Sequence, residues 1–370
     1  MTGFPELRAT GTGRRPPGTY DVALVVPLCG PAGIFGPSCE LCAQLAADEI
    51  NARGGVRGRQ LRLVAVDGGR RPEQVADEVD VLVSVGAVDA VVGWHTSAVR
   101  QALVPRVAGR VPYVYTALYE GGERTPGVFL TGETPRRQIL PAMRWLTRER
   151  GIRRWVIVGD DYIWPRRSAA AARRYVRACR TKVHEEVYVQ LGHEEFSEVL
   201  RRVERSDCDG VLMLLVGDDA VQFNRQFAAA GLDARCVRLS PLMEENMLLA
   251  TGPEGSRDLF STAGFFEALP TAASLDFGAC YASRFGADAP VLNSVAESCY
   301  EGLTLLDELI RRAGSTRLTS LLRAADSTGY DGPRGSVQLR GCHLDQRIYL
   351  AQAQGVDFDV VCGLEHISTP

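Results

Sequence analysis

The sequence predicts an α/β protein of two lobes, each with a parallel sheet covered by helices. Short apolar runs alternate with longer amphipathic segments along most of the chain, which is typical of such a sheet. The length of 370 residues exceeds the usual size of one hydrophobic core. No stretch rich in Pro, Gly or Ser separates independent domains, so we expect several short crossings between the lobes.

The predicted elements follow one another regularly. Strands are expected at 21–28, 61–67, 90–94, 111–116, 155–158, 183–191, 210–216, 237–240 and 262–267. Helices are expected at 38–52, 72–85, 97–107, 135–150, 166–180, 196–205, 220–230, 275–285, 294–313 and 318–325. Two or three further strands are expected between residues 336 and 361. The helix at 38–52 shows the local signals, since Ser38 can cap its start and Gly54 can end it.

Composition and spacing argue against several classes of function. Charged residues make up 24% of the chain and the net charge is −3, so nothing indicates direct binding of nucleic acid. Cys39 and Cys42 form a lone C-x-x-C without two further ligands at a zinc spacing, and we expect no metal and no cofactor. No G-x-S-x-G sequence or H-E-x-x-H sequence occurs. We therefore expect a protein that is not an enzyme.

The first residues carry no apolar segment of the kind that a secretory signal requires. Residues 1–19 are expected to form a flexible N-terminal segment, and the run at 22–28 is too short to span a bilayer. We expect a cytoplasmic protein with reduced thiols and no membrane insertion. A start codon further upstream, adding a signal peptide, would change this expectation.

A pair of aromatic residues follows the apolar run at 155–158. Alternate residues of an extended segment share a face, so Tyr162 and Trp164 are expected to project together while Ile163 turns back. Pro165 is expected to end the strand. This pattern favours the wall of a ligand pocket, although two ordinary core aromatics are an equal alternative.

Several sequence segments resemble a known family. They are the segments at 47–59, 115–121, 159–166, 296–300 and 331–335. Together they are similar to the type I periplasmic binding protein superfamily, in its branch of branched-chain amino acid, amide and urea receptors. Within that branch, the chain most resembles the cytoplasmic amide-sensing negative regulators of amidase operons.

The resemblance implies two Rossmann-like lobes that close over a ligand at the carboxyl ends of their strands. It implies an N-terminal lobe at 20–133 plus 265–326 and a C-terminal lobe at 134–264 plus 327–363. Three crossings would then lie near 132–134, 263–267 and 326–330.

The resemblance also implies the ligand-binding residues. The turn of His95, Thr96 and Ser97 would offer backbone amides and a hydroxyl, and Tyr115 and Tyr162 would flank the ligand from opposite lobes. Glu244 would contribute from its loop, with a solvated acidic loop as the alternative. Four positions depart from the amide sensor, which has tyrosine, threonine, tyrosine and tyrosine at His95, Ala117, Trp164 and Phe265. These departures predict a different ligand, and His95 is expected to titrate near neutral pH.

The expected function is that of a non-catalytic sensor for a small amide-, urea- or amino-acid-like ligand, with lobe closure as its signal. By resemblance its partner would be an antiterminator or another regulatory protein, and a homodimer is an open alternative to a monomer. Two other functions remain open. One is the substrate-binding component of an ABC transporter, and the other is an enzyme recruited from this fold through His95 and Ser97.

Overall fold

The computed structural model describes residues 18–364 as two α/β lobes, each built on one sheet with helices packed against it. The predicted fold class is confirmed. Of the N-terminal segment expected to be flexible, residues 1–17 lie outside the described part of the chain. Thr19 already belongs to the first strand.

The described residues contain fifteen strands. In chain order they are β1 (Thr19–Val26), β2 (Gln60–Asp67), β3 (Ala90–Gly93), β4 (Tyr113–Tyr115), β5 (Val128–Leu130), β6 (Arg154–Asp160), β7 (Lys182–Val189), β8 (Gly210–Leu214), β9 (Val237–Ser240), β10 (Leu259–Ala263), β11 (Gly329–Gly332), β12 (Gly335–Arg340), β13 (His343–Asp345), β14 (Ile348–Gln354) and β15 (Asp357–Leu364).

Eleven α-helices lie in the same range. They are α1 (Gly36–Ala52), α2 (Pro72–Ser84), α3 (Ser97–Val107), α4 (Pro135–Arg150), α5 (Ile163–Cys179), α6 (Ser197–Arg205), α7 (Asp218–Ala229), α8 (Glu245–Thr251), α9 (Ala272–Phe285), α10 (Ser294–Ala313) and α11 (Leu318–Ala324). None of these helices is both long and apolar enough to cross a membrane.

The first sheet has the strand order β11-β12-β13-β5-β4-β3-β1-β2. Its strands β1 to β5 pair in parallel, whereas β11, β12 and β13 form an antiparallel extension. All eight residues of β1 are buried. This is expected for a parallel strand that helices cover on both faces, and it explains the continuous apolar run in the sequence.

The second sheet has the order β15-β14-β10-β9-β8-β6-β7. Strands β6 to β10 pair in parallel, and β14 and β15 add an antiparallel edge. The chain enters this sheet after β5, leaves it after β10 and returns between β13 and β14. These passages are the three crossings of the fold.

The third crossing lies later in the chain than the sequence predicted. We expected it at 326–330, with residues 327–363 in the C-terminal lobe. Instead β13 pairs in parallel with β5, where His343 lies opposite Leu130, and β11 and β12 continue the same sheet. Residues 329–345 therefore belong to the first sheet, because backbone pairing with β5 extends it beyond the last helix.

Element boundaries that differ from the prediction include the start of α1 and the end of β10. Helix α1 begins at Gly36, and Ser38 lies within its first turn, where its hydroxyl donates to the carbonyl oxygen of Phe35 at 3.1 Å. Strand β10 ends at Ala263, so the end of the strand predicted at 262–267 is part of the crossing.

One buried cation links the three crossings. The side chain of Arg334 is 1% exposed, and its Nη1 donates to Glu133 Oε1 at 3.1 Å and to Gln346 Oε1. Glu133 Oε1 also accepts the backbone N–H of Gly264 at 2.8 Å. Glu133, Gly264 and Gln346 belong to the first, second and third crossing respectively. We call Arg334 and these partners, with Glu297, the hinge cluster.

Helix α10 supplies the carboxyl group that lies closest to this cation. Arg334 Nε donates to Glu297 Oε2 at 2.5 Å, and Nη2 lies 3.3 Å from the carbonyl oxygen of Ser294. Glu301 Oε2 lies 4.0 Å from the same Nε. Burial raises the pKa of Glu297 well above its usual value, although the positive charge of Arg334 opposes that shift. The hinge cluster therefore combines several desolvated carboxyl groups with one guanidinium.

Replacing Arg334 with methionine should destabilise the protein strongly, because buried carboxyl groups would lose their cation. Breaking a buried ion pair from one side typically lowers the free energy of unfolding by about 3–5 kcal/mol. Urea denaturation of Arg334→Met measures the change.

The matched control is Arg340→Met on the same hairpin. The Arg340 side chain is 74% exposed where it pairs with Asp345. A loss below about 1 kcal/mol is expected there. Equal losses for the two variants would contradict a structural role for the hinge cluster.

Candidate ligand site between the lobes

Ser97 lies at the first turn of α3, directly after the carboxyl end of β3. Thr96 caps this helix, and its Oγ1 accepts the N–H of Val99 at 3.5 Å. Ser97 is 1% exposed, and its hydroxyl donates to Glu120 Oε2 at 2.6 Å. The hydroxyl expected to contact a ligand is therefore bonded to a carboxylate of its own lobe.

Arg100 completes this arrangement from one turn further along α3. Its guanidinium pairs with both Glu120 and Glu123. All three side chains are buried, and the most exposed of them, Glu123, has an exposed fraction of 12%. The same guanidinium lies over the ring of Tyr115, at 5.5 Å from its centroid. Two carboxylates thus face one cation, so carboxylates outnumber cations in this group.

His95 is fully buried inside the first lobe. Its Nε2 lies 2.9 Å from the hydroxyl of Tyr113, and its Nδ1 lies 3.3 Å from the carbonyl oxygen of Thr96. Burial disfavours the imidazolium and lowers the pKa of His95 to about 3. The prediction that His95 titrates near neutral pH is wrong, because the ring has no water to solvate its charged form.

Tyr115 ends β4 and is buried beside His95. Its hydroxyl donates to the carbonyl oxygen of His95 at 2.8 Å, and the two rings are 4.9 Å apart between centroids. Ala117 follows in the loop and is also buried; a Cβ added at Gly132 would lie 1.9 Å from its carbonyl oxygen. The loop after β4 is therefore packed tightly against the first crossing.

The aromatic pair of the second lobe does not lie on an extended strand. Strand β6 ends at Asp160, and α5 begins at Ile163, so Trp164 lies in the first helical turn and is 3% exposed. The expectation that Tyr162 and Trp164 project together by strand alternation is wrong, because the helix starts three residues earlier than predicted. Their ring centroids are nevertheless 6.3 Å apart.

Tyr162 is the residue that the structure brings towards the first lobe. Burial raises the pKa of its phenol well above the usual value, and the negative charges of Asp160 and Glu120 and the phenol of Tyr115 raise it further. Two of these three neighbours belong to the first lobe. Tyr162 thus lies within electrostatic reach of Glu120 and Tyr115 across the lobe boundary.

Asp160 and Asp219 form a carboxyl pair next to Tyr162. Asp160 Oδ2 accepts the N–H of Val216 at 2.9 Å, and Asp219 Oδ2 accepts the N–H of Gly192 at 2.8 Å. Burial, reinforced by the charge of Asp219, raises the pKa of Asp160 well above its usual value. Asp160 Oδ1 is buried without a hydrogen-bond partner among the described residues.

Glu244 and Phe265 have structural partners. Both carboxylate oxygens of Glu244 cap α8, where they accept the N–H groups of Met247 at 2.8 Å and Asn246 at 2.9 Å. Burial raises the pKa of Glu244 to about 7. Phe265 packs edge to face on Phe277, with ring centroids 5.9 Å apart. Both belong to a small hydrophobic cluster, separate from the main core, that includes residues of α1, α9 and α10.

The lobes touch at the loop between β1 and α1. The carbonyl oxygen of Pro31 in the first lobe accepts the N–H of Asp218 in the second lobe at 2.9 Å. Gly217 allows this approach: it has φ of +52°, and a Cβ added there would lie 2.0 Å from the oxygen of Pro31. We call this contact the interlobe latch. It holds the lobes in a closed arrangement.

A small cavity lies between the lobes on the side of the crossings. Its volume is about 10 Å³. Its walls include Trp94, Thr116, Leu118, Leu242 and Ser298. A cavity of this size holds about one water molecule. A larger ligand does not fit into this cavity, but an open pocket of about 270 Å³ lies where Pro31 meets Asp218 and Asp219.

Comparison with known proteins identifies the family. The family model described as periplasmic binding protein matches residues 19–357. The chain belongs to the periplasmic binding protein family.

Its relatives are similar over different lengths. This family member is 22% identical to Leu/Ile/Val-binding protein homolog 3 of Brucella melitensis over 300 residues, which is 80% of this chain and 79% of that protein. It is 36% identical to the Leu/Ile/Val-binding protein BraC3 of Rhizobium johnstonii, but over 78 residues, about a fifth of either chain (21%).

Solved structures of similar shape agree with the fold. A solute binding protein of an ABC transporter from R. palustris, in complex with benzoate, has a TM-score of 0.84 at 19% identity, covering 94% of this chain and 96% of that one. The branched-chain amino acid transporter substrate binding protein LivJ of Streptococcus pneumoniae, in complex with isoleucine, has a TM-score of 0.82 at 18% identity, covering 93% and 98%.

Sequence reasoning missed the buried charged residues near Ser97, which are Arg100, Glu120 and Glu123. Arg100 follows it by three residues on α3, so their side chains share a helix face. Glu120 and Glu123 lie in the loop that follows Tyr115. An arginine one turn after the serine and two acids after the tyrosine were the available signal for this buried group.

Replacing Gly217 with alanine should break the interlobe latch, since the added methyl group would collide with the oxygen of Pro31. We expect Gly217→Ala to adopt a more open average arrangement than the unmodified protein. Small-angle X-ray scattering measures the change as a larger radius of gyration.

Gly231→Ala is the matched control for this variant. Gly231 has φ of +68°, but nothing lies within 4 Å of an added Cβ. Gly231→Ala bears the strain of a left-handed alanine, about 1–2 kcal/mol, and Gly217→Ala bears more, because Gly217 has φ of +52° and ψ of −120°. Of the two, only Gly217→Ala should open the lobes. Identical scattering of the two would argue against the latch.

Glu244 should make the stability of the protein depend on pH. The folded pKa of about 7 lies above the value of a carboxyl group in an unfolded chain, about 4.3. The folded state therefore holds the proton more tightly, and stability is lost as pH rises through this window and then levels off. Between about pH 5 and about pH 8 we expect the unmodified protein to lose about 1–3 kcal/mol more than Glu244→Gln.

Urea denaturation across this pH range measures the difference. Glu198→Gln, which changes an exposed glutamate of α6, should follow the unmodified protein. If Glu244→Gln follows it too, the burial of a protonatable Glu244 is not what sets the pH dependence.

Proposed function

We propose that this protein binds a small polar ligand rich in N–H groups, of the amide, urea or amino-acid class, between two closing lobes, and that it does so without catalysis. The observation that carries the proposal is the Ser97 hydroxyl held on the carboxylate of Glu120, with Tyr162 of the other lobe within electrostatic reach of Glu120 and Tyr115. Such a set offers hydrogen-bond acceptors and two aromatic rings. An amide or urea presents flat faces to rings and N–H groups to acceptors.

The balance of charge supports an N–H donor over an anion. Glu120 and Glu123 share the guanidinium of Arg100, and the carboxyl groups of Asp160 and Asp219 also act on Tyr162. A ligand carboxylate placed among these groups would meet further acceptors and like charge. The R. palustris protein of similar fold is in complex with benzoate, which is a carboxylate. The carboxylates around Tyr162 in this chain support a ligand of a different class.

Lobe closure would supply the signal. The interlobe latch already joins the two lobes through a backbone hydrogen bond, so a ligand bound between them would act on the angle at which they meet. A ligand and a protein partner that prefer different lobe angles would then be coupled, typically by about 1–3 kcal/mol. We propose a cytoplasmic sensor that acts on a regulatory protein.

A second function is favoured by a separate observation. Several proteins of similar fold are solute- or substrate-binding components of transporters. Fractionation of cells that produce the natural full-length protein distinguishes the two roles. Recovery with the cytoplasm and co-purification of a regulatory protein support the sensor, whereas recovery outside the inner membrane supports the transport component.

Thermal shift assays with matched ligand pairs test the ligand class. Benzamide and benzoate have nearly the same shape, as do acetamide and acetate, but only the amides donate N–H groups. We expect amides or urea, rather than the paired carboxylates, to raise the melting temperature. A rise with the carboxylates alone would overturn the proposed ligand class.

Variants of the site test where the ligand binds. Loss of one hydrogen bond to a ligand typically removes about 1–1.5 kcal/mol, so Ser97→Ala should weaken binding about tenfold. Tyr162→Ala should remove the ligand-induced shift. Tyr175→Ala, which truncates a partly buried tyrosine near the other end of α5, should retain it. An undiminished shift in both site variants would show that the ligand binds elsewhere.

A further inference from the structure

Two cysteines lie next to each other at the amino-terminal ends of two inner strands of the second sheet. The ligand site lies at the other end of these strands. Cys208 lies two residues before β8 and Cys236 directly before β9, and these strands are parallel neighbours. Their sulfur atoms are 3.0 Å apart. A disulfide bond of about 2.05 Å requires them to approach by only about 1 Å.

The surroundings favour reaction at Cys208. The thiol of Cys236 donates a hydrogen bond to Cys208, which lowers the pKa of Cys208 below its usual value although burial opposes the shift. The positive charge of Arg235 acts in the same direction. Because the thiolate is the nucleophile in disulfide exchange, Cys208 is the better attacking group of the pair.

The pair also lies close to the surface. Cys208 is 7% and Cys236 is 3% exposed, and the preceding Asp207 has an exposed side chain. A small local movement of the turn before β8 would admit a small reagent. By contrast, the thiols of Cys29 and Cys280 are already exposed.

We propose that Cys208 and Cys236 form a thiol–disulfide site that oxidises by exchange with a low-molecular-weight disulfide. The Cys208 thiolate attacks one sulfur of the reagent, forming a mixed disulfide and releasing one small thiol. The Cys236 sulfur then attacks the sulfur of Cys208 and releases the second small thiol. The two protein thiols are oxidised, the reagent is reduced, and both protons end on the released thiols.

The disulfide would fasten two strands that lead to the ligand site. Strand β8 leads to Gly217 of the interlobe latch, and β9 leads to Glu244. The bond would close the chain between Cys208 and Cys236 into a loop, which restricts the unfolded state and stabilises the lobe. This inference does not depend on the identity of the ligand or on the proposed function.

Oxidation with glutathione disulfide, followed by alkylation and peptide mass spectrometry, tests the proposal on the unmodified protein. We expect a peptide pair joined through Cys208 and Cys236 and lighter by two hydrogen atoms. We also expect the melting temperature of the oxidised form to exceed that of the reduced form by roughly 5 °C or more.

Three variants separate this site from other thiols. In Cys208→Ala and Cys236→Ala the difference between oxidised and reduced forms should vanish, whereas Cys280→Ala should keep it. Comparing both redox forms of one variant removes the effect of the substitution itself. Full alkylation of both cysteines after oxidation, or linkage only through Cys29 or Cys280, would overturn the proposal.

Discussion

The buried guanidinium of Arg334 is the interaction on which the arrangement of the two lobes depends. It bonds to Glu133 and Gln346, and Glu133 in turn holds the backbone of Gly264, so each of the three crossings has a member in the hinge cluster. Desolvated charges require such pairing, because an unpaired buried carboxylate is strongly unfavourable. Through Glu297 the cluster also fixes α10, whose Ser298 donates to Thr116 at 3.1 Å beside the ligand site.

The ligand site follows a similar principle of internal pairing. Ser97 and Arg100 both bond to Glu120 within the first lobe, and Tyr115 bonds to the backbone of His95. A ligand that replaces any of these contacts has to provide an equivalent hydrogen bond, since an unsatisfied buried group is unfavourable. The acceptor-rich walls therefore constrain the chemistry of the ligand before its shape is considered.

Much of the fold could be predicted from the sequence, because buried parallel strands and amphipathic helices leave distinct periodicities. The site was predictable in part. Ser97 and Tyr162 follow predicted strands and Tyr115 lies near the end of one, and such strand ends meet in this fold. Trp164 and His95 were placed or described wrongly, because the start of α5 and the desolvation of an imidazole depend on packing around them.

The sequence by itself determined the alternation of strands and helices, the two-lobe class and the strand ends where polar and aromatic residues gather. Only the tertiary structure decided that β11 to β13 extend the first sheet, that Arg334 joins the crossings and that Glu120 bonds to Ser97. The physical reason is the separation of the interacting residues along the sequence. Periodicity and caps act between residues a few positions apart. These pairings join residues as far as 201 positions apart for Arg334 and Glu133 and 213 positions apart for His343 and Leu130, and solvent exclusion decides their strength.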